Sequence, residues 1–278
     1  MIYLFASGDT PHVSIPAEPL VTVFGFPLTN SLLTGLLVTA LLAWLMLFVA
    51  RKIRDGEKNR LASFIQWVFE GLYGTVEQVV GDKAIARKLA PLVITMFFFI
   101  LLNYWVGILP VVGPITYNDY PMFRSMIADM NMTFALAIIT IVSGQIYAIR
   151  FHGVRGNLGR YFRSPLKDPA GAFEGILELI AEFSRLMGLS LRLFGNVFAG
   201  EVLLMMIAFL TVWVSPAALP PFYIFELFIG AIQAYIFFML TTVFISLGLV
   251  AHGHDHEADH SPVEEKPALT AMAGSDTK

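Results

Sequence analysis

The chain reads as an all-α membrane protein with five spanning helices, one amphipathic helix on the cytoplasmic side and a long C-terminal helical hairpin, and three observations predict it. Of its 278 residues 56% are hydrophobic and only 14% charged, with 24 Phe, which is too apolar for a water-soluble domain of this length. Five apolar stretches reach the roughly 20 residues that a helix rising ~1.5 Å per residue needs to cross hydrocarbon. Lys and Arg are segregated along the chain, and that segregation gives it an orientation. The absence of Cys excludes a disulfide framework and a thiolate metal site. Residues 1–10 lack a basic region and run into polar, Pro-containing sequence, so they do not read as a cleavable signal peptide.

An external segment, 1–27, precedes the first span at about 28–50. Residues 1–29 hold no Lys or Arg, whereas Arg51, Lys52, Arg54, Lys58 and Arg60 follow the span, which places the N-terminus outside and this loop in the cytoplasm. The next apolar stretch, 61–80, is interrupted by Gln66, Glu70, Glu77 and Gln78, the pattern of a helix lying at the cytoplasmic interface or against other helices. A second span, 89–112, closes on Pro110 and Pro114, and the loop beyond it carries Arg124 as its one basic residue, as befits an external face. The third span, 131–149, returns to a second basic loop with Arg150, Arg155, Arg160, Arg163 and Lys167.

Two longer elements, 170–214 and 221–250, are separated by a Pro-rich break at 215–221. Some forty continuous helical residues would reach ~60 Å, twice the hydrocarbon thickness, so the first must tilt, bend or run partly along the interface. The polar tail, 251–278, reads as a mobile cytoplasmic extension. Its His252, His254, His256 and His260 resemble a metal tract but lack a folded spacing, so a solvated tail is preferred. The membrane domain is thus a single unit, 28–250, without an inverted repeat.

Charge inside the fourth span points to function. Arg192 is a permanent cation where hydropathy calls for lipid, at a cost of ~3 kcal/mol or more near the bilayer centre, and such residues by default mark an ion pathway. Glu178, Glu182, Arg185, Arg192 and Asn196 follow one another at spacings that keep them on one broad helical face. Glu201, nine residues past Arg192, projects from roughly the opposite side, and Glu226 and Gln233 share a face of the last helix. Plainer roles stand beside these. Asn196 and Gln233 could serve as interhelical hydrogen-bond glue, the glutamates could favour the positive end of a helix dipole, and Arg192 could be structural.

The stretch Leu189-Ser190-Leu191-Arg192-Leu193-Phe194-Gly195-Asn196-Val197-Phe198-Ala199-Gly200-Glu201 resembles the signature of subunit a of the membrane sector of bacterial F-type ATP synthases. His12-Val13-Ser14, Asn103 with Gly107 and Leu109-Pro110, Asp129-Met130-Asn131-Met132-Thr133, and Gln233-Ala234-Tyr235-Ile236-Phe237 support the resemblance over residues 12–250. It implies a stator in the bacterial inner membrane whose final hairpin lies tilted against a rotating ring of c subunits. The other implied partners are the peripheral-stalk b subunits, the remaining synthase subunits and membrane lipid, with no nucleic acid and no cofactor or metal. By the same resemblance Arg192 meets the ring carboxylates, and Glu201, Glu226, Asn196 and Gln233 line an external half-channel with Asp129 and Asn131 near its mouth. Glu178, Glu182 and Arg185 would border the cytoplasmic exit. The family often has His where this chain has Glu226. No phosphate-binding loop occurs, so nucleotide chemistry belongs to other subunits. A self-contained secondary transporter or an assembly protein is the alternative.

Overall fold

The computed structural model describes residues 19–23, 26–56, 59–109, 116–117, 120–121, 123–161, 169–211 and 213–250. The expected external segment up to residue 18 with its His12-Val13-Ser14, together with Lys58, Pro110, Pro114, Asp119, Arg163, Lys167 and the tail from residue 251, lies outside the described residues.

A short antiparallel hairpin, β1 (Pro19–Val23) and β2 (Phe26–Thr29), leads directly into the first helix, with Val23 opposite Phe26. No strand was expected here, because Pro19 and Pro27 interrupt the alternation; both are tolerable in an isolated two-stranded ribbon, which is all edge. A second pair, β3 (Thr116–Tyr117) and β4 (Tyr120–Pro121), lies in the loop beyond the second span.

Helix α1 (Asn30–Arg54) starts where the Thr29 side chain accepts the Leu32 amide at 3.3 Å, and Arg51, Lys52 and Arg54 occupy its last turn, where the helix dipole favours cations. It runs past the apolar stretch because hydropathy marks depth in lipid and not the end of helical hydrogen bonding. Helix α2 (Arg60–Val80) opens on Asn59, whose side chain accepts the Leu61 amide at 3.0 Å, and closes on Gly81 with φ 75°, the left-handed cap that only glycine adopts freely. Ala62, Leu72 and Val76 face the bundle from α2 while Phe64 and Trp67 stay exposed, so its amphipathicity turns one side towards protein and leaves the other uncovered. Asp82 caps α3 (Lys83–Ile108).

A short 3-10 turn, Met126–Ala128, precedes α4 (Met130–Tyr161). Past the third apolar stretch α4 continues through Arg150 and reorients at Gly153, whose φ of 73° interrupts the helix. The final hairpin is α5 (Pro169–Thr211, 43 residues) and α6 (Ser215–Val250, 36 residues). The expected break at 215–221 is instead the start of α6. Pro216 sits in its first turn, where an N–H would lack an intrahelical acceptor anyway, and Pro220 and Pro221 follow inside the helix. The Val214 carbonyl accepts both the Ala217 and Ala218 amides at 2.9 Å, which leaves a connection of only three residues.

Helix α6 packs against α3, α4 and α5, α4 packs against α5 as well, and α1 and α2 lean on α3. Fully buried Leu89, Ile100, Tyr104, Leu193, Phe237 and Phe238 form the centre. Small polar contacts draw helices close: Thr133 Oγ1 lies 3.3 Å from Ser190 Oγ across α4 and α5, and Thr140 Oγ1 lies 3.5 Å from Thr241 Oγ1 across α4 and α6.

Candidate functional site

Helix α5 spans about 64 Å at 1.5 Å per residue, and Arg192 stands near its midpoint. Its side chain is exposed and, among the described residues, makes no hydrogen bond or ion pair. Gly188, Gly195 and Ala199 lie on the same face at helical spacing and are also exposed, and a Cβ on Gly188 or Gly195 would meet no atom of the chain within 4 Å. The guanidinium therefore sits in a shallow, small-residue strip on the outside of the bundle. One turn further on, Asn196 turns inward at its edge and its amide donates to Gln233 Oε1 on α6 at 2.6 Å, with Gln233 buried.

The opposite side of α5 carries acids. Glu201 is half-buried with Arg124 Nε 3.7 Å from its Oε2. Glu226 is buried at 3% exposure, and its Oε2 accepts the Tyr104 hydroxyl at 2.9 Å. Two glycines make the room for this pair between α3, α5 and α6. A Cβ on Gly200 would lie 2.7 Å from Glu226 Cδ, and one on Gly230 would lie 2.8 Å from Tyr104 Cγ. Two pairs thus stand on this side, Tyr104 with Glu226 and Arg124 with Glu201.

Towards the other end of α5, Glu182 Oε1 accepts the Gln145 amide of α4 at 2.5 Å, and the Arg185 guanidinium lies over the Phe244 ring of α6 at 5.4 Å. Thr140, Gly144 and Gly248 join these side chains around a crevice of about 30 Å³, enough for a water molecule. Glu178 is half-exposed one turn before Glu182. The two polar groups thus bracket Arg192 along α5, Glu182 about 15 Å to one side and Glu201 about 13 Å to the other, from their separations of ten and nine residues.

Asp129 has a second occupation. Its Oδ1 accepts the Asn131 amide at 2.9 Å, the geometry of a helix cap on α4, and its Oδ2 accepts the Ser31 hydroxyl of α1 at 3.0 Å. The Asn131 side chain is exposed. Tyr104, Arg124, Gln145 and Ser31 were not among the residues singled out from sequence. Tyr104 beside Asn103 inside an apolar run, and Arg124 as the one base of its loop, were the available signals. Among the described residues no group of three or more His, Asp or Glu side chains is arranged to hold a metal.

A family model described as ATP synthase A chain matches residues 32–246. Similar proteins include the ATP synthase subunit a of Listeria monocytogenes, 33% identical over 235 residues, which covers 82% of this chain and 95% of that one. The ATP synthase subunit a of Oceanobacillus iheyensis is 32% identical over 256 residues, covering 87% and 98% respectively. That of Staphylococcus epidermidis is 32% identical over 250 residues, covering 85% and 98%.

Proposed function

Because the chain belongs to the ATP synthase A chain family, we propose that it is the proton-carrying stator of the membrane sector of a rotary ATP synthase, with its α5–α6 hairpin against a turning ring of c subunits. The observation that carries this reading is the exposure of Arg192 at mid-helix with no partner among the described residues. A guanidinium left uncompensated in hydrocarbon is costly, so the compensating carboxylate comes from another subunit. Gly188, Gly195 and Ala199 let that subunit's helix approach closely.

A ring carboxylate that is neutral in lipid is stabilised in its charged form beside Arg192 and gives up its proton there. The guanidinium itself never deprotonates, so it relays nothing and protons cross only by travelling with the ring. On the outer side Glu201, Glu226, Asn196 and Gln233 form the delivering path, with Asp129 and Asn131 near its mouth. On the inner side Glu178, Glu182 and Arg185 border the exit, and the offset of the two groups along α5 supports this division. The Lys and Arg asymmetry supports an external N-terminus and a cytoplasmic C-terminus. Peripheral-stalk b subunits hold the stator against rotation. Each charge crossing 100 mV releases ~2.3 kcal/mol, so several protons drive each ATP formed on other subunits.

The test is Arg192→Ala in the complete complex. Purified with its subunits and reconstituted in vesicles, it should lose ATP-driven proton pumping by about 100-fold or more, which corresponds to ~3 kcal/mol of lost stabilisation. Normal pumping by the assembled variant refutes the proposal.

A further inference from the structure

Arg124 approaches α5 from the loop before α4, and the mechanism above does not use it. We infer that Arg124 is a positioning residue of the outer proton path, a fixed counter-charge that holds the Glu201 carboxylate in place; the inference rests on the outer-path reading of Glu201. Arg124 lies in the loop before α4, and its side chain is 11% exposed against 26% for Glu201, with Nε 3.7 Å from Oε2. The Ser125 backbone N–H approaches the same carboxylate.

The segment presenting these groups is held on several sides. The Arg124 amide donates to Thr34 Oγ1 of α1 at 3.1 Å, and Ser125 Oγ donates to the Asn103 carbonyl of α3 at 3.3 Å. Two glycines accept its side chains: a Cβ on Gly107 would lie 2.7 Å from Ser125 Oγ, and one on Gly35 would lie 2.6 Å from Met126 Cγ. Such anchoring fixes where the cation stands. Arg124 and the Ser125 N–H of this segment thus both face Glu201. A carboxylate drawn out of water into a weakly screened site is costly, and the guanidinium beside it offsets that cost. At 3.7 Å the contact is longer than a hydrogen bond and is not bidentate, so charge and not guanidinium shape does the positioning, and lysine should replace it.

The experiment compares ATP-driven proton pumping, per assembled complex in vesicles, for Arg124→Gln, Arg124→Lys, Glu201→Gln and the double variant Arg124→Gln/Glu201→Gln. Arg124→Gln should pump about tenfold more slowly, Arg124→Lys should keep about a third or more, and the double variant should be no worse than Glu201→Gln alone, since a residue acting through Glu201 has nothing further to lose. Arg124→Met, which keeps the apolar stem, replaces Arg124→Gln if the latter fails to assemble. Full pumping in the neutral variants, a lysine variant as poor as they are, a double variant worse than Glu201→Gln, or loss of the chain from the complex in both neutral variants each overturns the proposal. Normal pumping by Glu201→Gln overturns the outer-path reading together with it, which separates the two failures.

Discussion

Gly200→Ala is the sharpest perturbation the packing offers. The added methyl would stand 2.7 Å from Glu226 Cδ and 3.0 Å from its Oε1, closer than non-bonded atoms tolerate. What it meets is the far end of a flexible side chain and not backbone, so the carboxylate swings away and the helices keep their places. Overpacking costs about 1–3 kcal/mol in a rigid core, and relief by side-chain rotation puts this case at or below the bottom of that range. Ala also suits a helix interior better than Gly by up to about 1 kcal/mol, which offsets the remainder. The chain should therefore assemble normally. The swing breaks the 2.9 Å hydrogen bond from Tyr104 to Glu226. Leaving a buried hydrogen-bonding group without its partner costs about 1–3 kcal/mol, so pumping per complex should fall about 10- to 100-fold. The assay is ATP-driven acidification of vesicles holding purified complex, with Gly74→Ala as the control, because a Cβ there meets nothing within 4 Å. Wild-type pumping by assembled Gly200→Ala would show that the Tyr104–Glu226 geometry has no part in transport, and the reasoning fails.

Two further outcomes follow from the same geometry. Gly195→Leu should leave the isolated chain as stable as before, since a Cβ at that position meets no atom of the chain within 4 Å, yet abolish retention of the ring during purification of the complex; a ring that co-purifies normally would place its contact elsewhere. Gln233→Leu should leave the Asn196 amide without its 2.6 Å partner and slow pumping severalfold through a loss of about 1 kcal/mol, and Asn196→Leu/Gln233→Leu should be no slower than Gln233→Leu, which a double-mutant cycle measures directly.

The all-α membrane class was legible in the sequence because hydropathy acts on whole helices, and no local detail can hide twenty apolar residues in a row. Helix ends were less legible. Arg51 to Arg54 extend α1 and Arg150 lies within α4, since basic residues leave lipid without ceasing to be helical. The prolines at 216, 220 and 221 suggested a break, but α6 begins among them: Pro216 falls where the first four amides have no intrahelical acceptor, whereas Pro220 and Pro221 lie inside the helix. Spacing alone puts Glu178, Glu182, Arg185, Arg192 and Asn196 on one broad face of α5, but not their surroundings: Glu182 meets α4, Arg185 lies over Phe244 of α6, and Arg192 is exposed. What spacing could not give was the other half of each contact, because Tyr104 and Glu226 are 122 residues apart, and Gln145 and Glu182 are 37 apart. Asp129 shows the converse: a residue read as a channel-mouth acid also caps α4, an occupation that a loop boundary in sequence only hints at.

The N-terminal third of α1 contains no ionisable side chain, yet Thr34 receives the Arg124 amide, Ser31 holds Asp129, and Gly35 makes way for Met126. That helix is the retaining wall behind the segment that carries Arg124 and Asp129. A change of size at Gly35 or Thr34 would shift that segment as a whole, so under the proposed function defects in transport should map to the first helix as well as to the last two.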